Sequence, residues 1–251
     1  MSEILNSYPF PYMKQDNYLD NKKAILIQQE ILNIPAEQWD RYDNPFEQKY
    51  TLRDKYNFPP LLKELFENLE SRDFINSLSE KCGYKLYKDP TRNFWGVHKY
   101  NNGDKLDIHV DAGLHPVTHQ KKQLTFGIYL SSNWLEEYGC NLEIWSGDNS
   151  SINQAKIHKK VDSIAPLFNR MVMFVCNDYS WHGNPETAKC PENAKRIFVT
   201  ISYLSDNLED KNKRVKAFFV KRPEDPDDFE KDKMRLLRAD PEKYYEIYRT
   251  K

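Results

Sequence analysis

Residues 105–111 read Lys-Leu-Asp-Ile-His-Val-Asp, KLDIHVD, and the phase of this stretch decides how the chain folds around its chemistry. Successive side chains of a strand point to opposite faces. Strict alternation therefore puts Leu106, Ile108 and Val110 on one face, and Asp107, His109 and Asp111 on the other. Polar groups on the inward face of a sheet cost roughly 2–7 kcal/mol each when they lack partners. A metal ion supplies such a partner, and an imidazole and a carboxylate two residues apart on one strand can both reach it.

Outward from this stretch the same period of two recurs. Strand-like runs lie at 93–100, 123–130, 141–146, 171–176 and 195–204, separated by turn-rich segments such as NNGD, SGDNSS and NPETAKCPENAK. Many short strands in one block predict a closed or double-sheet β architecture such as a jelly roll. The first third has a different period. Residues 19–34 carry apolar side chains at helical spacing up to Pro35. PPLLKELFENLES opens on a proline pair and lines up Leu61, Leu62, Leu65, Phe66 and Leu69, and a short helix over 74–81 stops at Gly83. An irregular aromatic stretch with Trp39, Tyr42, Phe46 and Tyr50 lies between the first two helices. After a charged segment, the tail predicts helix over 229–237 and 242–248. The expected organisation is a helical support region at 1–84, a β core at 85–205 and a helical extension at 206–251, all in one compact domain of mainly β class with flanking helices (α+β).

Composition excludes several functions. The 37 basic and 38 acidic residues nearly cancel, which argues against a general nucleic-acid or membrane-surface binder. No apolar run approaches the ~20 residues needed to span a bilayer, and the N-terminus has no signal-peptide pattern. A cytoplasmic protein is expected. The cysteines, Cys82, Cys140, Cys176 and Cys190, form no CxxC pair and predict four free thiols rather than a zinc site.

A third metal ligand is expected from a strand near the other end of the sheet. His182 in NDYSWHGNP directly follows the apolar strand MVMFVC and fits that place. Two histidines and one carboxylate on one side of an ion leave positions open opposite, the arrangement of non-haem Fe(II) oxygenases. In KRIFVTISYL, Arg196, Phe198, Thr200 and Ser202 share one strand face. An inward arginine is costly unless it meets an anion. Its two parallel donors suit the distal carboxylate of a five-carbon diacid, with Thr200 adding a hydroxyl contact and Lys195 the alternative cation.

These pieces together resemble the 2-oxoglutarate/Fe(II)-dependent dioxygenase superfamily, in its prolyl-hydroxylase-like branch. The matching stretches are HVD (109–111), LTFGIYLSSNW (124–134), NLEIW (141–145), IAPLFNRMVMF (164–174), SWHG (180–183) and KRIFVTISY (195–203). Gly139-Cys140 stands where the family usually has two glycines, and PETAKCPEN lengthens the segment before Arg196. The resemblance implies a double-stranded β-helix at 85–205, iron on His109, Asp111 and His182, and 2-oxoglutarate anchored by Arg196. It places Tyr129 against the co-substrate carboxylate and Tyr100 in the active site, with His98 on the same strand face. It also implies O2 as a reactant, ascorbate as a candidate reductant, and hydroxylation of an unactivated C–H bond with release of succinate and CO2. The substrate would be a protein prolyl residue, a small molecule or a sugar.

A cupin-like zinc or manganese protein would keep the barrel without needing Arg196 and Tyr129. A ligand-binding module with a dead site would not keep a complete triad. His115, His119 and His158 lie in polar loops and are expected at the surface, although the loop 112–122 is well placed to cover a substrate. Trp134, Trp145 and Trp181 read as core or rim packing, and Asn169-Arg170 as a turn with positive φ at the asparagine.

Overall fold

Asn21–Leu32 (α1), Pro60–Leu69 (α2) and Arg72–Cys82 (α3) are the helices that the spacing predicts in the first third. They belong to a computed structural model that describes residues 6–52, 57–152, 154–206, 214, 216–240 and 243. Each helix start has a local cause. The Asp20 carboxylate accepts the Lys23 N–H and the Ser71 hydroxyl accepts the Phe74 N–H, which pairs donors that a first turn leaves open. α2 starts at Pro59-Pro60, and Glu30 of α1 caps it by accepting the Leu61 and Leu62 N–H groups at 3.1 and 2.9 Å. Gly83, at φ 75°, ends α3 in the left-handed conformation that only a residue without Cβ adopts freely.

The strands are β1 (Tyr12–Gln15), β2 (Trp39–Asn44), β3 (Glu47–Leu52), β4 (Trp95–Tyr100), β5 (Lys105–Val110), β6 (Lys121–Tyr129), β7 (Leu142–Gly147), β8 (Ile157–Ile164), β9 (Arg170–Val175), β10 (Trp181–Asn184), β11 (Arg196–Ser205) and β12 (Phe218–Phe219). All pair antiparallel, in the order β1-β9-β6-β11-β4-β3-β5-β10-β7-β8, with β2 beside β3 and β12 beside β5. The sheet curls on itself. Tyr129, Val172 and Phe174 of the β6–β9 side pack in one cluster with Leu142, Ile144 and Ile164 of the β7–β8 side. This is the jelly-roll, double-stranded β-helix architecture that the strand pattern predicts.

β11 shows how the alternation is used. Ile197, Val199, Ile201 and Tyr203 face the helices and join Ile27, Ile31, Leu62, Leu65 and Phe66 in the main core. Removing each such side chain from water contributes roughly 1.5–3 kcal/mol. Arg196, Phe198, Thr200 and Ser202 face the other way, into a cavity between the two sides of the curled sheet.

The N-terminal region is less helical than its spacing predicts. The aromatic stretch forms the β2–β3 hairpin, and β3 bridges the two sides of the sheet by pairing with both β4 and β5. Arg41 lies 4.7 Å from the Tyr50 ring centroid and Lys49 5.5 Å from that of Tyr42, both across the hairpin. These cation–ring pairs hold together strands whose polar sequence hides the period of two. β8 is hidden for a related reason. It lies at the end of the strand order and exposes its lysines, a common protection of edges. In the C-terminal segment, β12 precedes Phe229–Ala239 (α4), and the helical pattern at 242–248, residue 243 apart, lies outside the described residues. No helix among the described residues is long and apolar enough to cross a membrane. Cys82, Cys140, Cys176 and Cys190 are all free.

Candidate active site

β5 and β10 bring the first cluster together. His182 is the direct register partner of His109, and their ring centroids are 4.5 Å apart. His182 therefore arrives from the neighbouring strand rather than from the far end of the sheet, and it lies on a separate strand rather than at the end of β9. Asp111 follows β5, with its carboxylate oxygens 3.6 Å from His109 Nε2 and 3.9 Å from His182 Nε2. Ligand atoms of the three residues all lie within 4.8 Å of one another.

Both imidazoles are oriented from behind. His109 Nδ1 meets the Asp107 carbonyl at 2.9 Å and His182 Nδ1 meets the Ser180 carbonyl at 2.8 Å. A proton on Nδ1 donated to those carbonyls leaves each Nε2 lone pair for a metal. Burial and the neighbouring His109 push the His182 pKa down to about 3, which keeps its ring neutral. Burial would raise the pKa of Asp111, but the Lys122 ammonium and the two imidazoles hold it well below the usual carboxylate range. Two imidazoles and one ionised carboxylate converge here, a donor set that fits iron.

Asp107 departs from the strict alternation. Residues 182 and 184 of β10 pair with 109 and 106 of β5, so three steps on one strand match two on the other. Across this bulge Leu106, not Asp107, lines the cavity. Asp107 instead meets Lys105 at 2.7 Å and Lys231 of α4 at 2.6 Å. The close approach requires glycine at 183. A Cβ there would lie 2.7 Å from the Asp107 carbonyl oxygen and 2.9 Å from that of Leu106.

The cavity has a volume of about 280 Å³ and runs between the triad and Arg196. Arg196 is 2% exposed. Its guanidinium lies 4.6 Å from the Tyr100 ring centroid and 5.0 Å from that of Tyr129, and donates weakly to the Tyr129 hydroxyl at 3.4 Å. Its Nε is buried with no hydrogen-bond partner, an arrangement that costs free energy until an anion arrives. Burial pushes Tyr129 up to about 12 against the opposing pull of Arg196, and it raises Tyr100 as well. Both phenols remain protonated donors. Thr200 lines the cavity, with its hydroxyl donating to the Phe126 carbonyl at 3.2 Å. Gly127 lets Phe198 lie flat across β6, since a Cβ there would come within 2.2 Å of the ring.

All seven candidate residues, His109, Asp111, His182, Arg196, Tyr129, Thr200 and Tyr100, thus line one cavity, and His98 lines it too. Lys195 is not among the lining residues. His119 and His158 are exposed as expected, although His158 lies on the edge strand β8 and not in a loop. His115 is not: it is fully buried, and its Nε2 meets Asp89 at 3.0 Å while its Nδ1 accepts the Val117 and Thr118 N–H groups. A polar loop sequence cannot show that Asp89, 26 positions earlier, closes over it. Among the described residues none from 112 to 121 lines the cavity.

Two charged lining residues escape the sequence pattern. Lys49 of β3 meets Glu47 at 3.0 Å. Lys122 of β6 donates to Asp111 Oδ2 at 2.8 Å. Counting back by twos from Tyr129 puts Gln123 inward and Lys122 outward. A register shift at Tyr203/Leu204 reverses that phase at the start of β6. Cys140, at the usual second glycine, takes φ 54° and packs its sulfur against Asn184 Nδ2 at 3.1 Å. The inserted segment walls the cavity from outside, with Ala188, Cys190 and Ala194 clustered on Tyr100, Trp134 and Cys140.

Comparisons agree with this geometry. Residues 95–205 match the family described as the 2OG-Fe(II) oxygenase superfamily. No protein of curated function matches the chain in sequence. Among solved structures, a Pseudomonas putida prolyl-4-hydroxylase is similar with a TM-score of 0.55 at 13% identity, covering 77% of this chain and 92% of that one. A Trichoplax adhaerens prolyl hydroxylase, solved with a hypoxia inducible factor peptide fragment, gives 0.52 at 17% identity over 78% and 84%. HygX from Streptomyces hygroscopicus, solved with nickel, 2-oxoglutarate and hygromycin B, gives 0.51 at 11% identity over 77% and 82%. At these identities the neighbours speak for the fold. The strand-bearing core, residues 95–205, is thus similar to the 2OG-Fe(II) oxygenase superfamily, a family of oxidoreductases.

Proposed function

We propose that this protein is an Fe(II)- and 2-oxoglutarate-dependent hydroxylase acting on an unactivated C–H bond, with His109, Asp111 and His182 as iron ligands and Arg196 as co-substrate anchor. The observation that carries this reading is the pairing of two ends of one cavity. At one end three metal donors converge, and at the other a buried arginine has an orphaned Nε. A diacid that chelates a metal with one end needs both. A hydrolase needs one open position for water and no second anion site.

When bound, iron with 2-oxoglutarate and O2 supplies the oxidant for C–H hydroxylation, with succinate and CO2 released. The chain's own residues orient and exclude. His109 and His182, held through their Nδ1 atoms, present fixed Nε2 donors. Arg196 and the Tyr129 hydroxyl receive the distal carboxylate, with Thr200 beside them. Tyr100 covers the guanidinium and shuts water from that end. The substrate enters the remaining space, which suits a side chain such as a prolyl ring, a small molecule or one sugar unit. The peptide held by the Trichoplax adhaerens neighbour supports the first and the hygromycin B of HygX the others. The balanced net charge supports a protein with no nucleic-acid partner, and ascorbate is the expected reductant in assays.

The test needs no knowledge of the substrate. Iron-loaded protein should consume O2 and convert 2-oxoglutarate slowly to succinate. Without O2 it should show a weak visible charge-transfer band that Asp111→Ala lacks. Neither succinate nor the band from folded, iron-loaded protein would leave the cupin-like metal protein as the reading.

A further inference from the structure

The cavity is lined by three cations, Lys49, Lys122 and Arg196, and by one acid, Asp111. Two of these cations have matched anions in the reading above. Lys49 is held by Glu47, which also meets Arg238 of α4 at 3.4 Å. Arg196 is assigned to 2-oxoglutarate. Lys122 is different. Its acidic partner is Asp111 itself, at 2.8 Å, and Asp111 is the residue a metal claims. A second acid, Asp178, lines a small recess beside Asp111 and is engaged by Ser150 at 3.1 Å and Arg214 at 3.6 Å. The Lys122 side chain is 10% exposed, so water offers its ammonium little compensation.

Charge makes the mismatch sharper. When a divalent metal and the doubly charged co-substrate join Asp111, Arg196 and Lys122, one positive charge remains, located at Lys122. An unmatched ammonium beside a divalent cation in a largely buried position calls for an anion. Phe94, whose ring centroid is 5.1 Å from Lys122 Nζ, also lines the cavity and offers an apolar surface beside that anion. The cavity volume of about 280 Å³ lies just below the usual range for ligand sites, roughly 300–1,000 Å³. It must also hold the co-substrate.

Resting on the hydroxylase reading, we propose that Lys122 is the substrate anchor, and that the substrate is a small organic acid whose carboxylate takes the place Asp111 gives up to the metal. In the metal-free chain Lys122 neutralises Asp111. With metal bound it turns to the substrate carboxylate, so anion recognition depends on metal loading.

The test uses the whole protein loaded with Mn(II), a redox-inert substitute, and 2-oxoglutarate. Calorimetry measures binding of a panel of small carboxylic acids (imino, aliphatic, aromatic and sugar acids), each against its own primary amide. At least one acid should bind about tenfold or more tighter than its amide, the ratio worth 1.4 kcal/mol. Lys122→Met, at saturating Mn(II), should erase that preference and Lys122→Arg should keep it. If Lys122 only positioned Asp111, acid and amide would weaken together in Lys122→Met and the preference would survive, which overturns the proposal. Equal binding of acids and amides, binding only by a neutral capped prolyl peptide, or no acid binding at millimolar concentration overturns it too. Failure of Mn(II) or 2-oxoglutarate to bind is seen in the preceding titration and would instead strike the hydroxylase reading.

Discussion

His182 lies directly across the β5–β10 ladder from His109, each imidazole pinned through Nδ1 to a backbone carbonyl two residues before it. Two strands, and not a loop, therefore set the spacing of the two nitrogen donors. Replacement of His182 by Ala should abolish tight binding of Mn(II) or Ni(II) while the fold persists, since the side chain leaves a strand whose backbone pairing is intact. Metal titration with circular dichroism checks this. Full metal occupancy in that variant would remove His182 from the site.

Arg196 should govern the co-substrate and not the metal. Loss of a buried, charge-assisted contact costs about 2–5 kcal/mol, or roughly 30- to several-thousand-fold in affinity. Calorimetry on Arg196→Ala with Mn(II) present should show that loss for 2-oxoglutarate with metal affinity unchanged. Unchanged 2-oxoglutarate affinity would point to another cation, and Lys49 lies in the same cavity.

Gly183→Ala tests the bulge beside the triad. The added methyl would meet two backbone oxygens inside 3 Å, and neither can rotate away as a side chain could. Overpacking of this kind costs typically 1–3 kcal/mol, which lowers Tm by about 2–4 °C per kcal/mol in a chain of this size. Metal affinity should fall as well, because β10 must shift and carries His182 with it. Unchanged Tm and unchanged metal affinity would show that the strands separate freely.

Lys99 predicts a pH effect on stability. Burial, and then the nearby Lys195, lowers its pKa to about 8 from 10.5, while its ammonium lies 3.7 Å from the Trp39 ring centroid. The unfolded chain therefore holds this proton more tightly than the folded one. Below pH 8 the full penalty is present, and it is relieved as pH rises from 8 to 10.5. Relative to Lys99→Met, the wild type should gain stability across that window in urea unfolding. A difference that stays flat with pH would place Lys99 in solvent.

What the sequence by itself determined is whatever depends on period and residue type. Alternation along β11 separates Ile197, Val199, Ile201 and Tyr203 from Arg196, Phe198, Thr200 and Ser202, and the structure keeps that division. The convergence of His109 and Asp111 was legible because polar groups on an inward strand face demand a partner, and that of His182 because it follows an apolar strand. Tertiary structure alone decided the positions where alternation breaks. One bulge removes Asp107 from the cavity and another turns Lys122 into it. The pairing of His115 with Asp89, the β2–β3 hairpin and the place of β10 beside β5 rest on contacts between distant segments. A bulge adds one residue to a strand at a point set by its partner. No local pattern carries that information, although it reverses the face of every side chain beyond it.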